Sequence, residues 1–248
     1  MEPARWMMSA CPHDTADRPE RWFAFAQQLS RRTSLSVRFL LALDFPEFRK
    51  MFPELDLVYA NPNDALNLLQ RQGFIPLARM DGHFDEGVLV CRQDDPHDLS
   101  RVPGSRLATC VSLVITDIVV RHLAKQGVEL LGEMVDRPSW SAALASLLHG
   151  EVDLAILYRD FFLSLKPETR QKLMVVAESN ERTLFHVFLV APRRQAMIRD
   201  LQQALLGFHQ EEASAKVLRE LGCERLVPAT SEEVASFSSM RHQIFIRP

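Results

Sequence analysis

Cysteine is scarce in this sequence, tyrosine scarcer still, and positive charge has no surplus. Each shortage removes a class of protein. The four cysteines (Cys11, Cys91, Cys110, Cys223) lie far apart and form no CxxC pair. That spacing argues against a zinc site and shows no disulfide framework, so buried free thiols are the expectation. A net charge of −3 and a pI near 6.2 make no electrostatic case for DNA or RNA as the main partner. No apolar run reaches the roughly 18 residues that cross a bilayer, so membrane insertion is not expected. No P-loop, GxGxxG, GxSxG or HExxH occurs, and with them go the commonest signatures of nucleotide, acyl-transfer and metallohydrolase chemistry. Cys11 and His13 suggest a nucleophile beside a base, but two residues apart they share a direction and lack a third orienting group. The expectation is a protein that is not an enzyme, with no cofactor and no metal.

What is present is ordinary for a globular chain: 248 residues, 47% hydrophobic and 25% charged, enough for one large domain or two lobes. One stretch organises the rest, Leu55 to Gln70 (LDLVYANPNDALNLLQ). It reads as a short buried strand, a turn at Ala60-Asn61-Pro62, and a helix from Asn63 or Asp64. A strand feeding a helix through a tight turn gathers unpaired N–H groups and the positive end of the helix dipole at one spot, which suits an anionic or polar ligand head. Tyr59 stands at that strand's end, where side chains lean over the ligand crevice of an open α/β sheet. The same residues also read more simply, with Asn61 and Asp64 as helix caps and Tyr59 packed locally.

The flanking pattern alternates strand and helix. Arg5–Cys11 is a strand ended by Pro12, with His13 in the loop beyond; Trp22, Phe23, Phe25, Ala26 and Leu29 mark an amphipathic helix. Ser36–Leu43 is a second strand, Asp44 caps a helix through Lys50, and Phe74–Arg79 is extended. Alternation of this kind argues for a parallel sheet flanked by helices. The pattern then breaks at Glu86–Arg92, a strand with no helix before it, followed by the polar run Gln93–Gly104.

Beyond that run the outline repeats: strand Arg106–Cys110, helix Ser112–Lys125, strand Leu130–Val135, and a helix whose inward face is Trp140, Ala143, Leu144, Leu147 and Leu148, stopped by Gly150. Strand Val152–Leu157 ends at Tyr158-Arg159; helix Pro167–Leu173 and strand Met174–Ala177 follow. A long apolar strand, Thr183–Ala191, carries the chain back, and Gln195–Phe208, Glu211–Leu221 and Ser231–Ser239 are helical. Two crossings, near 86–92 and 183–191, imply two lobes, 1–88 with 188–248 and 89–187, hinged as a clamshell. The only two tyrosines, Tyr59 and Tyr158, each follow a buried strand that opens on Asp-Leu, one per lobe.

With Pro12-His13, DLVYANPNDAL, PLAR, SWSAALASLLHGEVDLAILYRD and LVPAT in this order, the chain resembles the type II substrate-binding proteins of ABC transporters, specifically the phosphate/phosphite/phosphonate branch, over essentially its whole length. The resemblance implies an α/β, two-lobed type II periplasmic-binding-protein fold, each lobe a mostly parallel sheet flanked by helices, joined by two crossing strands. It also implies a small-molecule ligand (an oxyanion, carboxylate or amine) held between the lobes by closure, and an ABC permease as partner. Departures are plain. The hydroxyl-rich cluster that opens the lobe-two helix in that family reads Thr109-Cys110-Val111-Ser112-Leu113 here, without glycine. Trp140, after Ser139, replaces a frequent histidine, and Tyr158-Arg159, with Asp160 beyond, replaces a carboxylate.

The candidate ligand residues are therefore His13, Tyr59, Asn61, Thr109, Ser112, Ser139, Trp140, Tyr158 and Arg159. Tyrosine and tryptophan supply apolar area with a donor, arginine a bidentate grip on an oxyanion, and aromatic faces an ammonium site. Simpler roles stand beside these: Trp140 as core, Thr109 and Ser112 as caps, Arg159 in a surface pair with Asp160, His13 in solvent. An alternative use of the same fold is a cytoplasmic ligand-sensing module acting on a signalling partner. The N-terminus, MEPARWMMSACPHD, has no apolar signal core, so a cytoplasmic location is expected as written, and a periplasmic one if a leader has been removed.

Overall fold

The structure, a computed structural model, describes residues 5–15, 18–110 and 114–240. In chain order β1 (Arg5–Ala10) runs into the short helix α1 (Pro12–Thr15), and α2 (Pro19–Thr33), β2 (Ser36–Phe39) and α3 (Phe45–Met51) follow. Next come β3 (Leu57–Ala60), α4 (Pro62–Gln72), β4 (Ile75–Met80), β5 (Gly87–Arg92), β6 (Leu107–Thr109), α5 (Val114–Lys125) and β7 (Met134–Asp136). Then α6 (Trp140–Leu148), β8 (Leu154–Tyr158), α7 (Arg159–Ser164), α8 (Pro167–Arg170), β9 (Leu173–Glu178) and β10 (Val187–Val190) lead to α9 (Ile198–Leu206), α10 (Glu212–Glu220), β11 (Leu226–Pro228) and α11 (Ser231–Ser236). The chain divides into two compact units, one of Met1–His83 with Phe185–Phe237, the other containing Phe84–Leu184.

The first unit is built on a six-stranded sheet ordered β11-β4-β10-β3-β1-β2. β1 pairs in parallel with β2 and β3, as strand-helix alternation requires, while β10 and β11 run antiparallel to their neighbours. β10 enters between β3 and β4, and all four of its residues are buried. Its Phe188 ring lies 4.6 Å from Tyr59 and 5.2 Å from Phe25, and Phe25 stacks on Phe208 at 4.6 Å. The face of α2 explains the match: Trp22, Phe25, Ala26 and Leu29 are buried at helical spacing, and Trp22 reaches Tyr59 at 4.8 Å. The C-terminal helices pack on this unit too, α9 and α10 against α2 and α11 against α4.

The second unit carries a five-stranded sheet ordered β7-β6-β8-β5-β9. Here β6 is parallel to β7 and β8, and β5 is antiparallel to β8 and β9. Gly87 opens β5 where α5 crosses closely; a Cβ there would stand 2.5 Å from Val119 Cγ2 and 2.8 Å from Ile115 Cγ2, so only glycine admits the helix.

Several elements differ from the sequence expectation. β1 stops at Ala10, and His13 lies in a helical turn rather than a loop. β2 ends at Phe39, and β7 starts at Met134, four residues later than expected. The long strand expected from Thr183 is only Val187–Val190. The preceding residues bond elsewhere: Leu184 O accepts from Asp85 N at 2.8 Å, and Glu86 Oε1 accepts from Arg182 N at 2.7 Å. Glu86, buried, also accepts from Ser179 Oγ, which in turn accepts from Gly87 N at 2.9 Å. The residues next to each passage between units are thus zipped to one another, and apolar pattern alone cannot tell this from a strand.

At the opposite end of the first sheet, buried Asp56 accepts from Met7 N (2.9 Å), Arg193 Nε (2.9 Å) and Arg194 Nε (2.7 Å). Burial pushes its carboxyl up, but the bonds from Arg194 and Met7 and the charges of both arginines outweigh this and hold it below the usual range. A carboxylate lowered in the folded state adds stability that is full above its unfolded value of about 4 and is lost as pH falls through the lowered one. Denaturation midpoints should therefore separate wild type from Asp56→Asn at neutral pH and converge in acid; a gap independent of pH would contradict this account. Phe188→Ala should cost about 3–5 kcal/mol, read from urea unfolding, because the ring fills a slot between a helix face and two strands.

Candidate functional site

In the first unit the parallel strands β1 and β3 end side by side, joined by Cys11 N donating to Tyr59 O at 2.8 Å. β10 begins at that same edge, because Val187 is in register with Ala60. Four polar side chains therefore meet there, three from one short stretch and one from far along the chain: Cys11 after β1, His13 and Asp14 on α1, and His186 before β10. His186 Nε2 lies 3.4 Å from Asp14 Oδ2, and its ring stacks on Tyr59 at 5.5 Å. His13 meets Phe45 edge-on at 4.7 Å. Asn61 caps α4, its Oδ1 accepting from Asp64 N at 3.0 Å, while its Nδ2 donates to Asp64 Oδ2 at 2.7 Å and to Cys11 Sγ at 3.5 Å. Asp64 is anchored in turn by Arg49 Nε at 2.7 Å.

Burial raises the Cys11 thiol, and hydrogen bonding to His186 only partly opposes it. Such a thiol stays protonated and is a poor nucleophile, although His186 supplies the orienting group that Cys11 and His13 lack in the linear sequence. Tyr59 leans inward: at 3% exposed it belongs to the aromatic core of this unit.

In the second unit β7, β6 and β8 are parallel neighbours, so their C-terminal ends share one edge. Thr109 closes β6, Ser139 and Trp140 open α6 after β7, and Tyr158 closes β8. Thr109 Oγ1 is buried 2.6 Å from Thr116 Oγ1, and Thr116 donates to Cys110 O at 3.1 Å. A hydroxyl has one proton, so Thr109 is the donor in the first contact and offers a ligand acceptor capacity only. Ser139 accepts from Ala142 N at 3.1 Å as the cap of α6, which leaves its proton to donate. Trp140 is buried. Burial first, and the charge of Asp136 second, push the Cys110 thiol up to about 12.

Tyr158 faces two acids that sequence reasoning did not single out as a pair: its hydroxyl lies 3.2 Å from Asp85 Oδ1 and 3.2 Å from Asp160 Oδ2. Asp85 is delivered by the antiparallel pairing of β5 with β8, Gly87 opposite Tyr158. Arg159, first in α7, sits 3.7 Å from Asp160 and 3.9 Å from Glu178. Its backbone N–H donates to Glu86 O at 2.9 Å, tying it to the passage between units. Ser112 lies outside the described residues. The sequence candidates thus fall into two groups, His13, Tyr59 and Asn61 at one sheet edge and Thr109, Ser139, Trp140, Tyr158 and Arg159 at the other. His186 and Asp85 join them only through tertiary pairing, whereas Cys11 and Asp14 are sequence neighbours of His13.

The comparisons with known proteins bear on this layout. The family model described as "ABC transporter, phosphonate, periplasmic substrate-binding protein" matches residues 8–234. No curated protein matches the sequence. Among solved structures, PhnD1 from Prochlorococcus marinus (MIT 9301), in complex with methylphosphonate, aligns with a TM-score of 0.78 at 16% identity, covering 96% of this chain and 97% of that one. A binding protein component of an ABC phosphonate transporter from Pseudomonas aeruginosa aligns at 0.72 with 13% identity, covering 96% and 86%. The periplasmic aliphatic sulphonate binding protein SsuA from Escherichia coli aligns at 0.69 with 13% identity, again covering 96% and 86%. At such identities these likenesses establish the type II periplasmic-binding-protein fold. The family match runs from within β1 into α11 and takes in both sheet edges. This chain belongs to the phosphonate family of periplasmic substrate-binding proteins of ABC transporters, a family of solute binders rather than of enzymes.

Proposed function

We propose that this chain captures a small molecule with a phosphonate-type oxyanion head, closes its two units on it, and delivers it to an ABC permease at the periplasmic face of the membrane. The observation that carries the reading is the family match over 8–234 taken with the donor set at the β7-β6-β8 edge: the Ser139 hydroxyl, the N–H groups opening α6, and the Arg159 guanidinium. Such donors suit an anionic head. Asp85 and Asp160 beside the Tyr158 hydroxyl suit an ammonium on the same molecule, which favours an aminoalkylphosphonate over bare phosphate. The family match favours delivery over a sensory role. Burial raises the Cys11 thiol, which argues against its use as a nucleophile.

Thermal-shift titration with methylphosphonate, 2-aminoethylphosphonate, phosphate and ethanesulfonate tests the ligand class. Bound ligand at a hundred times its Kd adds about 2.7 kcal/mol of stability, and the amine-bearing phosphonate should give the largest shift. No shift with any of the four would sink the proposal. Arg159→Ala should weaken binding by about tenfold or more, as expected for a charged hydrogen bond of ~1.5–3 kcal/mol. Small-angle scattering should show a smaller radius with ligand; an unchanged radius under saturation would remove the closure step.

A further inference from the structure

Among the described residues, two groups of side chains bring three metal-ligating atoms together, and they differ in character. In the second unit Asp95, His97 and Asp153 are close, but their carboxylates already serve the protein: Asp95 accepts from Arg92 at 2.9 Å and Asp153 from Arg106 N at 2.8 Å. In the first unit the Cys11 sulfur and one ring nitrogen each of His13 and His186 all lie within 4.8 Å of one another. One sulfur with two imidazoles is a borderline-soft donor set, which selects zinc-like transition ions over calcium or magnesium. Around a tetrahedral ion with bonds of ~2.0–2.3 Å such donors stand ~3.3–3.7 Å apart. Closing the cluster thus asks for a movement of roughly an ångström, and His13, half-buried on the four-residue α1, is the donor nearest the surface.

The surroundings are built as metal sites are built. Each ring is braced, His13 against Phe45 and His186 against Tyr59. Asp14 stands 3.4 Å from His186 Nε2, the carboxylate–histidine arrangement that orients a ligating imidazole or supplies a further oxygen. Asn61 donates to the Cys11 sulfur at 3.5 Å and also to Asp64, whose carboxylate Arg49 anchors. The linear sequence argued against a zinc site because its cysteines are unpaired. That reasoning covers local ligand spacing and does not reach a donor that arrives with β10.

From this geometry we infer that the C-terminal edge of the first sheet is a site for one divalent transition-metal ion of the zinc class, held by Cys11, His13 and His186. A fourth position is left for water, Asp14 or an incoming oxyanion. The inference does not rest on the ligand proposed above, and the two are tested separately.

Full-length protein, stripped with chelator and dialysed, is titrated with Co²⁺ and then Zn²⁺. One Co²⁺ per chain should bind with a near-ultraviolet thiolate-to-cobalt absorption band, and Zn²⁺ should displace it. Cys11→Ser should abolish that band. His13→Ala, on the accessible side and so tolerant of change, should weaken the metal at least tenfold with an unaltered circular-dichroism spectrum, while Asp14→Asn should cost 10–100-fold, as outer partners of metal ligands do. His97→Ala should change nothing. Absence of stoichiometric Co²⁺ binding overturns the inference, as does binding without the thiolate band or binding that falls with His97→Ala and not with His13→Ala. Phosphonate binding measured in chelator reports only on the solute-binding proposal, so failure of one reading leaves the other standing on its own result.

Discussion

The first sheet is incomplete until the chain comes back to it. β10 occupies the slot between β3 and β4, makes ladder bonds to both, and buries all four of its residues. A strand missing from that place would leave two rows of backbone groups unpaired in the interior, each costing about as much as a lost hydrogen bond. The core converges on the same strand, since Phe188 stacks on Phe25 from the helix and meets Tyr59 at a tilt within the sheet. The Asp56 cluster locks the strand's far end, with Ala191 N donating to Asp56 O at 2.9 Å and the following arginines holding its carboxylate. A unit whose central strand follows the intervening unit in the chain can complete its sheet only once the chain has passed through that unit.

That constraint also decides what the sheet edge can do. His186 is carried to the ends of β1 and β3 by the β10 register and by nothing local, and it converts two neighbours, Cys11 and His13, into a three-donor cluster. In the second unit β5 plays the equivalent part. Its antiparallel pairing with β8 sets Gly87 against Tyr158 and so brings Asp85 to the Tyr158 hydroxyl. In both units the parallel strands furnish the edge, and an antiparallel strand adjoining the passage between units adds a charged or ligating side chain to it.

The two tyrosines show where a sequence argument runs out. Each follows a buried strand opening on Asp-Leu, and their fates differ. Tyr59 shares a strand face with Leu57 beneath α2, has β1 on one side and β10 on the other, and is sealed by Trp22 and Phe188. Tyr158 is the last residue of its strand, half-buried, with glycine opposite, and its hydroxyl reaches two acids. Strand alternation tells which residues share a face, but not whether a helix covers that face.

The sequence by itself determined the strand-helix alternation, the caps at Asp44 and Asn61, the helical faces of α2 and α6, and the repeated outline of the two halves. All of these rest on interactions within about one turn or one strand, which are written in neighbouring residues. Only the tertiary structure decided that Thr183–His186 forms a zipped link rather than a strand, that the sheets are mixed, and that Cys11 meets His186 and Tyr158 meets Asp85. Those outcomes depend on which strands pair and in what register. Pairing is fixed by the sum of many distant contacts, so no short stretch of the chain contains it.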